Sequence, residues 1–256
     1  MDQAIEADLR AAARAFVEQP GEISVMIQRK GDADPCVAID ADRAMPSASL
    51  VKAAIACAAV AANDIDLHRP VAIAELDDTF YCSIIQAFDR SDHITLKALI
   101  GLMLIVSDNP ATSAVLEAVG MDRVNHWLKQ AGLTSTHLAV GFDDAALGTP
   151  LRANLTTAQD CLRLLQIIDT APQYAVVKHM LANNLRNERI PKQLPDDVVI
   201  AHKTGTLNGL CHDIAIIESP RAAYRLVILA DNLPDHHDFG TAIARFSQEI
   251  YELMSA

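Results

Sequence analysis

Apolar residues near the start of the chain recur first every three or four positions and then every second position. The first period covers the first 16 residues and predicts an amphipathic helix that ends before Pro20-Gly21. The segment ISVMIQR, residues 23–29, alternates instead and is rich in β-branched side chains, which predicts a strand. A turn at residues 30–32 leads to a second predicted strand near residues 37–40.

The middle of the sequence shows only helical periods. From Ser49 to about Met180, apolar residues form runs with helical spacing at residues 96–106, 111–118, 124–131 and 156–168. The last run has a favourable N-cap residue near its start, either Asn154 or Thr156. No strand is predicted here, so this part of the chain is expected to be a block of helices.

Strand patterns return only near the end of the chain. They cover residues 198–204, 212–219 and 223–231, and a final amphipathic helix follows at residues 240–254. Strands from both ends are therefore expected to join one antiparallel sheet that the terminal helices cover. We predict an α/β (α+β) fold with two domains: a discontinuous sheet domain at residues 1–46 and 198–256, and an inserted all-helical domain at residues 47–197.

Composition and charge exclude several classes of partner. The 256 residues include 33 acidic and 21 basic ones, and the net charge of −12 argues against a nucleic-acid ligand. No run of about 18 apolar residues is present, so no membrane span is expected. The N-terminal segment is acidic and amphipathic, unlike a signal peptide. We expect a cytoplasmic protein, or a periplasmic or secreted one if a leader has been removed.

No cofactor or metal is expected. The five cysteines are widely spaced and form no CxxC pair. The segment Asp235-His236-His237-Asp238 invites a metal interpretation, but adjacent histidines should point in different directions, and a polar loop is the simpler interpretation. His212 opens a predicted strand, where a structural hydrogen bond is favoured over a role in a site. The expected partner is a small molecule, and a monomer is the simplest oligomeric state.

Three short motifs carry candidate chemistry. In SASLVKAAIACAAVAA, Ser49 and Lys52 lie three residues apart on one face of a predicted helix. A lysine that burial has deprotonated can take the proton of a serine hydroxyl, and the serine N–H at a helix start can face an oxyanion. Ser107-Asp108-Asn109 lies in a predicted helix–helix loop, and Lys203-Thr204-Gly205-Thr206 ends a predicted strand. Each motif alone has an ordinary alternative as a helix cap, a turn or a strand end.

The three motifs in this order resemble a known family. Ser-x-x-Lys, Ser-Asp-Asn and Lys-Thr-Gly are the signature set of serine β-lactamases and penicillin-binding proteins. The chain is similar to the class A β-lactamase-like family over nearly its whole length. The resemblance implies a β-lactamase/transpeptidase-like fold with an active site in the cleft between the two domains.

The resemblance also implies roles for the motif residues. Ser49 would be the acylated nucleophile, Lys52 its general base, and Ser107 a proton relay to the leaving nitrogen. The backbone N–H groups of Ser49 and Thr206 would form the oxyanion hole, and Asn109 would hold the substrate's amide side chain. Tyr81 would form an aromatic wall, although a core position is equally open for it. The substrate carboxylate would be bound by the strand motif Lys203, Thr204, Gly205 and Thr206.

One family feature is missing from the sequence. Class A β-lactamases carry Glu-x-x-Leu-Asn after the Ser-Asp-Asn segment, and that glutamate activates the deacylating water. Residues 136–158 contain no glutamate here. Asp143 is the best candidate for a replacement base or for pinning the loop, but a solvated Asp143–Asp144 turn is equally open. Because aspartate is one methylene shorter, fast deacylation is in doubt.

The sequence thus predicts an active-site serine hydrolase that a β-lactam or related cyclic amide acylates at Ser49. One alternative is a cytoplasmic esterase, amidase or acyltransferase with another substrate. A further alternative is a sensor that traps the acyl group and releases it poorly. The missing glutamate favours the trap over a fast lactamase.

Overall fold

The computed structural model describes residues 3–76, 83–142 and 149–256. Its strands in chain order are β1 (Glu22–Arg29), β2 (Val37–Ile39), β3 (Met45–Pro46), β4 (Pro70–Ala72), β5 (His93–Thr95), β6 (Leu155–Thr156), β7 (Val199–Leu207), β8 (Leu210–Glu218) and β9 (Ala223–Asp231). Its α-helices are α1 (Gln3–Val17), α2 (Val51–Ala61), α3 (Leu96–Ile105), α4 (Asn109–Val119), α5 (Met121–Gln130), α6 (Ala158–Thr170), α7 (Ala175–Ala182) and α8 (His236–Ser255).

Strands from both ends of the chain form one five-stranded antiparallel sheet. Its order is β2-β1-β9-β8-β7, and β1 pairs with β9 from Glu22↔Asp231 to Arg29↔Tyr224. The prediction of a mixed fold built on an antiparallel sheet is therefore confirmed. The strand β7, which carries the Lys-Thr-Gly motif, lies at one edge of this sheet.

Both faces of the sheet are buried, each against a different set of helices. Alternate side chains of β8, such as Ile214 and Ile216, join the apolar cluster that contains α2, α3 and α4. Their neighbours Ala215 and Ile217 join the cluster with the terminal helices α1 and α8. Because successive side chains of a strand point to opposite faces, the side chains of β8 contribute alternately to two different apolar cores. Because one sheet face shares a cluster with the middle helices, the division into two domains stays a prediction.

Helix α2 lies at the centre of the molecule. Every residue from Val51 to Ala59 is buried. A helix that is apolar all round belongs in the interior, and the many alanines let neighbouring helices approach closely. Lys52 is the one charged side chain in this buried run. No helix in the described part of the chain is long and apolar enough to cross a membrane.

Several predicted boundaries were wrong. The middle of the chain contains the two-stranded pairs β3–β6 and β4–β5, which are too short to show an alternating pattern. The side-chain N-cap of α6 is Thr157, which accepts from the N–H of Asp160, and neither Asn154 nor Thr156. Helix α8 begins at His236 with Asp235 as its N-cap, because polar residues of the first turn hide the helical period there.

Candidate active site

Ser49 lies in a tight turn that leads into the central helix. Strand β3 is followed by a 3₁₀ helix, Ala48–Leu50, which continues directly into α2. Ala48 has a φ of 45°, a left-handed conformation that is unusual for a residue with a side chain. Ser49 therefore lies in the 3₁₀ turn immediately before α2, and not in the first turn of the α-helix itself as predicted. It is half-buried, and its hydroxyl has no hydrogen-bond partner among the described residues.

The amine of Lys52 is buried in a polar cage. It donates to the carbonyl oxygen of Ser107 and to Oδ1 of Asn109, each at 2.7 Å, and it lies 3.2 Å from the Ser107 hydroxyl. The ring of Phe142 covers another side, with its centroid 4.8 Å from Nζ. None of the carboxylates that the structure describes pairs with this amine. Its described hydrogen-bond partners are therefore neutral groups.

The hydroxyl of Ser107 lies between two buried lysines. Besides the Lys52 contact, it accepts a hydrogen bond from Nζ of Lys203 at 3.1 Å. Lys203 also donates to the carbonyl oxygen of Thr204 at 2.9 Å. The structure thus links residues that are 96 positions apart in the chain into one hydrogen-bonded row, Lys52–Ser107–Lys203.

Burial lowers the pKa of both lysine amines, so each loses its charge more readily than an exposed lysine. Desolvation, followed by the nearby charge of Lys203, moves the pKa of Lys52 well below its ordinary value of 10.5. Desolvation also lowers the pKa of Lys203 to about 7, with Arg189 and Arg186 adding to the shift and Asp213 opposing it. An uncharged amine at Lys52 near neutral pH can accept a proton.

Asp108 holds the segment between α3 and α4 in an unusual conformation. Ser107 has a φ of 63°, which is uncommon for a non-glycine residue. One Asp108 oxygen accepts from the hydroxyl of Ser83 and the N–H of Ile84, and the other caps α4 through the N–H of Ala111. These three bonds, 2.8 to 2.9 Å long, fix the direction in which Ser107 points.

Gly205 lets the strand β7 pack directly on the turn that carries Ser49. A Cβ atom at Gly205 would lie 3.2 Å from both Leu50 Cγ and Ser47 O, and 3.3 Å from Ala48 Cβ. The close approach at this glycine is therefore made by the protein's own chain. The motif lies in the last part of β7, which continues to Leu207, so the strand ends three residues beyond its predicted end at residue 204.

A cavity of about 500 Å³ opens above this cluster. Five residues predicted for the site line it, namely Ser49, Ser107, Asn109, Thr204 and Thr206. Lys52 and Lys203 lie beneath its floor with no exposed surface. Tyr81 and Asp143, the other predicted site residues, lie outside the described residues.

Sequence reasoning missed a set of basic residues on the cavity wall. The guanidinium of Arg189 donates to the carbonyl oxygens of Gly205 and His212 and to the hydroxyl of Thr206. It therefore extends the polar end of the cavity beyond the Lys-Thr-Gly motif. The wall is completed by Arg186, Glu188, Lys192, His236, His237, Gly240 and Thr241. No local motif marks Arg189, because the groups that it binds belong to distant strands.

The two adjacent histidines do not diverge as expected. The rings of His236 and His237 lie 4.1 Å apart between centroids and are tilted by 35°. Asp235 is the N-cap of α8 and accepts from the N–H groups of His237 and Asp238, so the prediction of a plain polar loop at residues 235–238 was wrong. No group of three potential metal ligands occurs within the described ranges.

His212 supports the nucleophile turn from below. It is fully buried, its Nδ1 accepts from the N–H of Ala230, and its Nε2 donates to the carbonyl oxygen of Pro46, both at 2.9 Å. Pro46 lies just before the Ser49 turn. The preference for a structural hydrogen bond over a role in the site is confirmed.

His212 should make the protein sensitive to acid. Burial lowers its pKa to about 4 from 6.5, so between these values the unfolded chain binds a proton that the folded protein excludes. Stability is therefore expected to fall as pH drops from 6.5 towards 4, by up to about 3 kcal/mol from this residue. Urea unfolding at pH 7 and pH 4.5 should show that His212→Gln loses less free energy of unfolding between these pH values than wild type does. The control His179→Gln, at an exposed position, should lose as much free energy of unfolding as wild type. A loss in His212→Gln equal to that of wild type would contradict the account.

Comparison with known proteins gives the family. A β-lactamase from Sphaerobacter thermophilus has a TM-score of 0.83 and 23% identity, with 97% of each chain covered. An ancestral class A β-lactamase has a TM-score of 0.83 and 24% identity, covering 95% of this chain and 99% of that one. A class A β-lactamase from Bacteroides cellulosilyticus has a TM-score of 0.86 and 20% identity over 98% of both chains. At such identities these likenesses show the fold, and a search of curated proteins gave no significant match.

The fold and the family together define the class of protein as a serine hydrolase of the β-lactamase type. The family model described as the β-lactamase enzyme family matches residues 4–254. The chain therefore belongs to the β-lactamase enzyme family.

Proposed function

We propose that the protein is acylated at Ser49 by a β-lactam or a related cyclic amide and that water releases the acyl group slowly. The observation that carries this proposal is the row Lys52–Ser107–Lys203 beneath a cavity that Ser49 lines. A serine, an uncharged amine and a relay hydroxyl are the groups that amide acylation requires.

The contacts of Lys52 suit a general base. A neutral amine has two N–H donors and one lone pair, and the carbonyl of Ser107 and Oδ1 of Asn109 can only accept hydrogen bonds. These two acceptors occupy both N–H groups. The lone pair is then left facing the Ser107 hydroxyl at 3.2 Å. In the proposed step it takes the proton from the Ser49 hydroxyl as the oxygen attacks the lactam carbonyl.

Ser107 is placed to complete the proton transfer. As the carbonyl–nitrogen bond of the lactam breaks, the nitrogen takes the Ser107 proton. The ammonium formed on Lys52, 3.2 Å away, returns a proton to Ser107. At the end the serine ester has formed, the amide bond has broken, and both relay groups are in their starting states. The charge of Lys203 beside Ser107 favours this donation.

The substrate carboxylate would lie at the end of the cavity where β7 passes. The hydroxyls of Thr204 and Thr206 line this part, and Arg189 donates to the Thr206 hydroxyl. Lys203 lies below with an amine whose pKa is lowered to about 7. Binding of a carboxylate above these groups would raise that pKa and compensate the buried charge.

Slow release of the acyl group is supported by the surroundings of Lys52. The neighbours of its amine are Ser107, Asn109 and the ring of Phe142, and no carboxylate of the described residues joins them. The ring of Phe142 covers one side of the amine at 4.8 Å, and the sequence of residues 136–158 offers no glutamate that could activate a water molecule. This arrangement also supports an acyl trap as the second candidate function.

An intact-mass time course with a penicillin and a cephalosporin tests the proposal. Wild type should gain the full mass of the penicillin, because ring opening keeps the leaving nitrogen attached, and the adduct should map to Ser49. Ser49→Ala should gain nothing, whereas a control replacement of the exposed Ser91 by Ala should behave like wild type. Slow decay of the adduct supports a hydrolase, and no decay supports a trap. No adduct, or an adduct elsewhere, would contradict the proposal.

A further inference from the structure

The wall of the active-site cavity is strongly basic in an acidic protein. Arg186, Arg189 and Lys192 line it, and Glu188 is the one acidic residue among its lining residues in the described part of the chain. The chain as a whole has a net charge of −12. Such a local reversal of charge in a concave site concentrates field lines and attracts anions.

No carboxylate in the described part of the chain pairs with the positive charges on this wall. Among the described residues, the guanidinium of Arg189 contacts neutral oxygens, those of Gly205, His212 and Thr206. Neither Arg186 nor Lys192 makes a salt bridge with any residue that the structure describes. Cations that find no carboxylate in the protein remain available to an anionic ligand.

The basic wall continues from the carboxylate end of the cavity. Arg189 binds Thr206 on β7, and its Cγ would lie 3.7 Å from a Cβ atom at Gly240 on α8. His236, at the start of α8, accepts from the N–H of Gly209 through Nδ1 at 3.3 Å. In its neutral form the ring then carries its proton on Nε2 and can donate. Anion-binding groups thus run from the Thr206 end of the cavity to α8.

A single substrate carboxylate does not account for all of these groups. Lys203, Thr204 and Thr206 already provide one amine and two hydroxyls for it. Arg186, Lys192 and His236 lie on the same cavity wall, and none of them forms a salt bridge with a residue that the structure describes. After desolvation by burial, the positive charge of Arg186 further lowers the pKa of both Lys52 and Lys203.

We infer that the natural acyl donor carries a second anionic group on its leaving-group half, which Arg186, Lys192 and His236 bind beside the Thr206 end of the cavity. This inference rests on the proposed acylation of Ser49 and names the substrate class as dianionic cyclic amides. A carboxylate and a phosphate share the chemistry that this wall recognises.

A matched pair of cephalosporins tests the inference. The two differ only in the substituent on ring carbon 3, which ends in a carboxylate in one and in a primary amide in the other. At low salt, wild type should be acylated about fivefold faster by the carboxylate donor, because an exposed charge pair is worth up to about 1 kcal/mol, a factor of about five. In the double variant Arg186→Gln/Lys192→Gln this preference should fall to less than about twofold.

The control variant is Lys129→Gln, which removes a positive charge from the exposed end of α5. It should keep the preference for the carboxylate donor. Equal rates in wild type, faster acylation by the amide, or an unchanged preference in the double variant would overturn the inference while acylation itself stands.

A second measurement decides the case in which neither cephalosporin acylates the protein and the proposed function fails. Glutarate and butyrate, a dianion and a monoanion of similar size, are titrated into Ser49→Ala while the histidine ring protons are followed by NMR. Tighter binding of glutarate that is lost with Arg186→Gln/Lys192→Gln supports the anion site. Equal binding of the two anions overturns it.

Discussion

Replacement of Lys52 by methionine is expected to slow acylation of Ser49 by about three orders of magnitude. Methionine has a similar length and suits the apolar surroundings of α2, so the fold should survive. It has no lone pair that can take the serine proton, and general-base catalysis of this kind contributes about 10²- to 10⁴-fold. The carbonyl of Ser107 and Oδ1 of Asn109 also lose the donor that they share.

Replacement of Lys52 by arginine distinguishes the role of Lys52 as a base from its role as a hydrogen-bond donor. A guanidinium still donates, but it keeps its proton at every working pH and cannot act as a base. Both variants should acylate about equally slowly in the intact-mass assay, whereas Lys129→Met on the surface should match wild type. Thermal unfolding shows whether each variant is folded. Acylation of a folded Lys52→Met within tenfold of the wild-type rate would show that another group takes the proton.

Replacement of Asp108 by alanine is expected to damage both stability and acylation. The carboxylate is buried and accepts from Ser83, Ile84 and Ala111. Its removal leaves two backbone N–H groups and a hydroxyl without their partner, which should lower the free energy of unfolding by about 3 kcal/mol. Without these bonds the strained φ of Ser107 can relax, and acylation should slow by about 100-fold as the relay hydroxyl moves.

Two further variants distinguish a role of Asp108 in positioning Ser107 from a general loss of stability. Asp108→Asn keeps one oxygen and should retain part of the stability and part of the acylation rate. Asp122→Ala removes an exposed carboxylate from the first turn of α5 and should change the free energy of unfolding by less than about 0.5 kcal/mol. Urea unfolding and the acylation rate are both measured. An Asp108→Ala variant that loses stability but acylates at the wild-type rate would refute a positioning role for Asp108.

The sheet could be predicted because its strands are long and alternate. The prediction for β9, residues 223–231, matches the observed strand Ala223–Asp231 at both ends. The end of β7 was missed because Gly205 and Thr206 look like turn residues in sequence. In the structure, Gly205 is extended so that β7 can pack on the turn that carries Ser49. The position of the strand end thus depends on a tertiary contact, which a local sequence pattern does not reveal.

The candidate site could be predicted where its residues form motifs. Lys52, Ser107, Asn109 and Lys203 belong to short motifs, and their side chains do meet in the structure. Arg189 belongs to no motif, because the oxygens that it binds lie on β7 and β8.

The basic wall was missed for the same reason. Arg186 and Lys192 come from the segment after α7, and the histidines come from the start of α8. These elements meet only in the folded chain. The motifs therefore locate the chemistry, whereas the selectivity of the cavity depends on tertiary structure.

The pH dependence of acylation tests most directly the claim that an uncharged Lys52 takes the proton from Ser49. The first-order rate constant is measured by rapid quenching and intact mass with saturating penicillin between pH 5 and 10. The account predicts a rate that reaches its plateau well below pH 10.5, because burial and the charge of Lys203 lower the pKa of Lys52 well below that value. A rate that keeps rising about tenfold per pH unit towards pH 10 would show an ordinary, charged lysine and contradict the account.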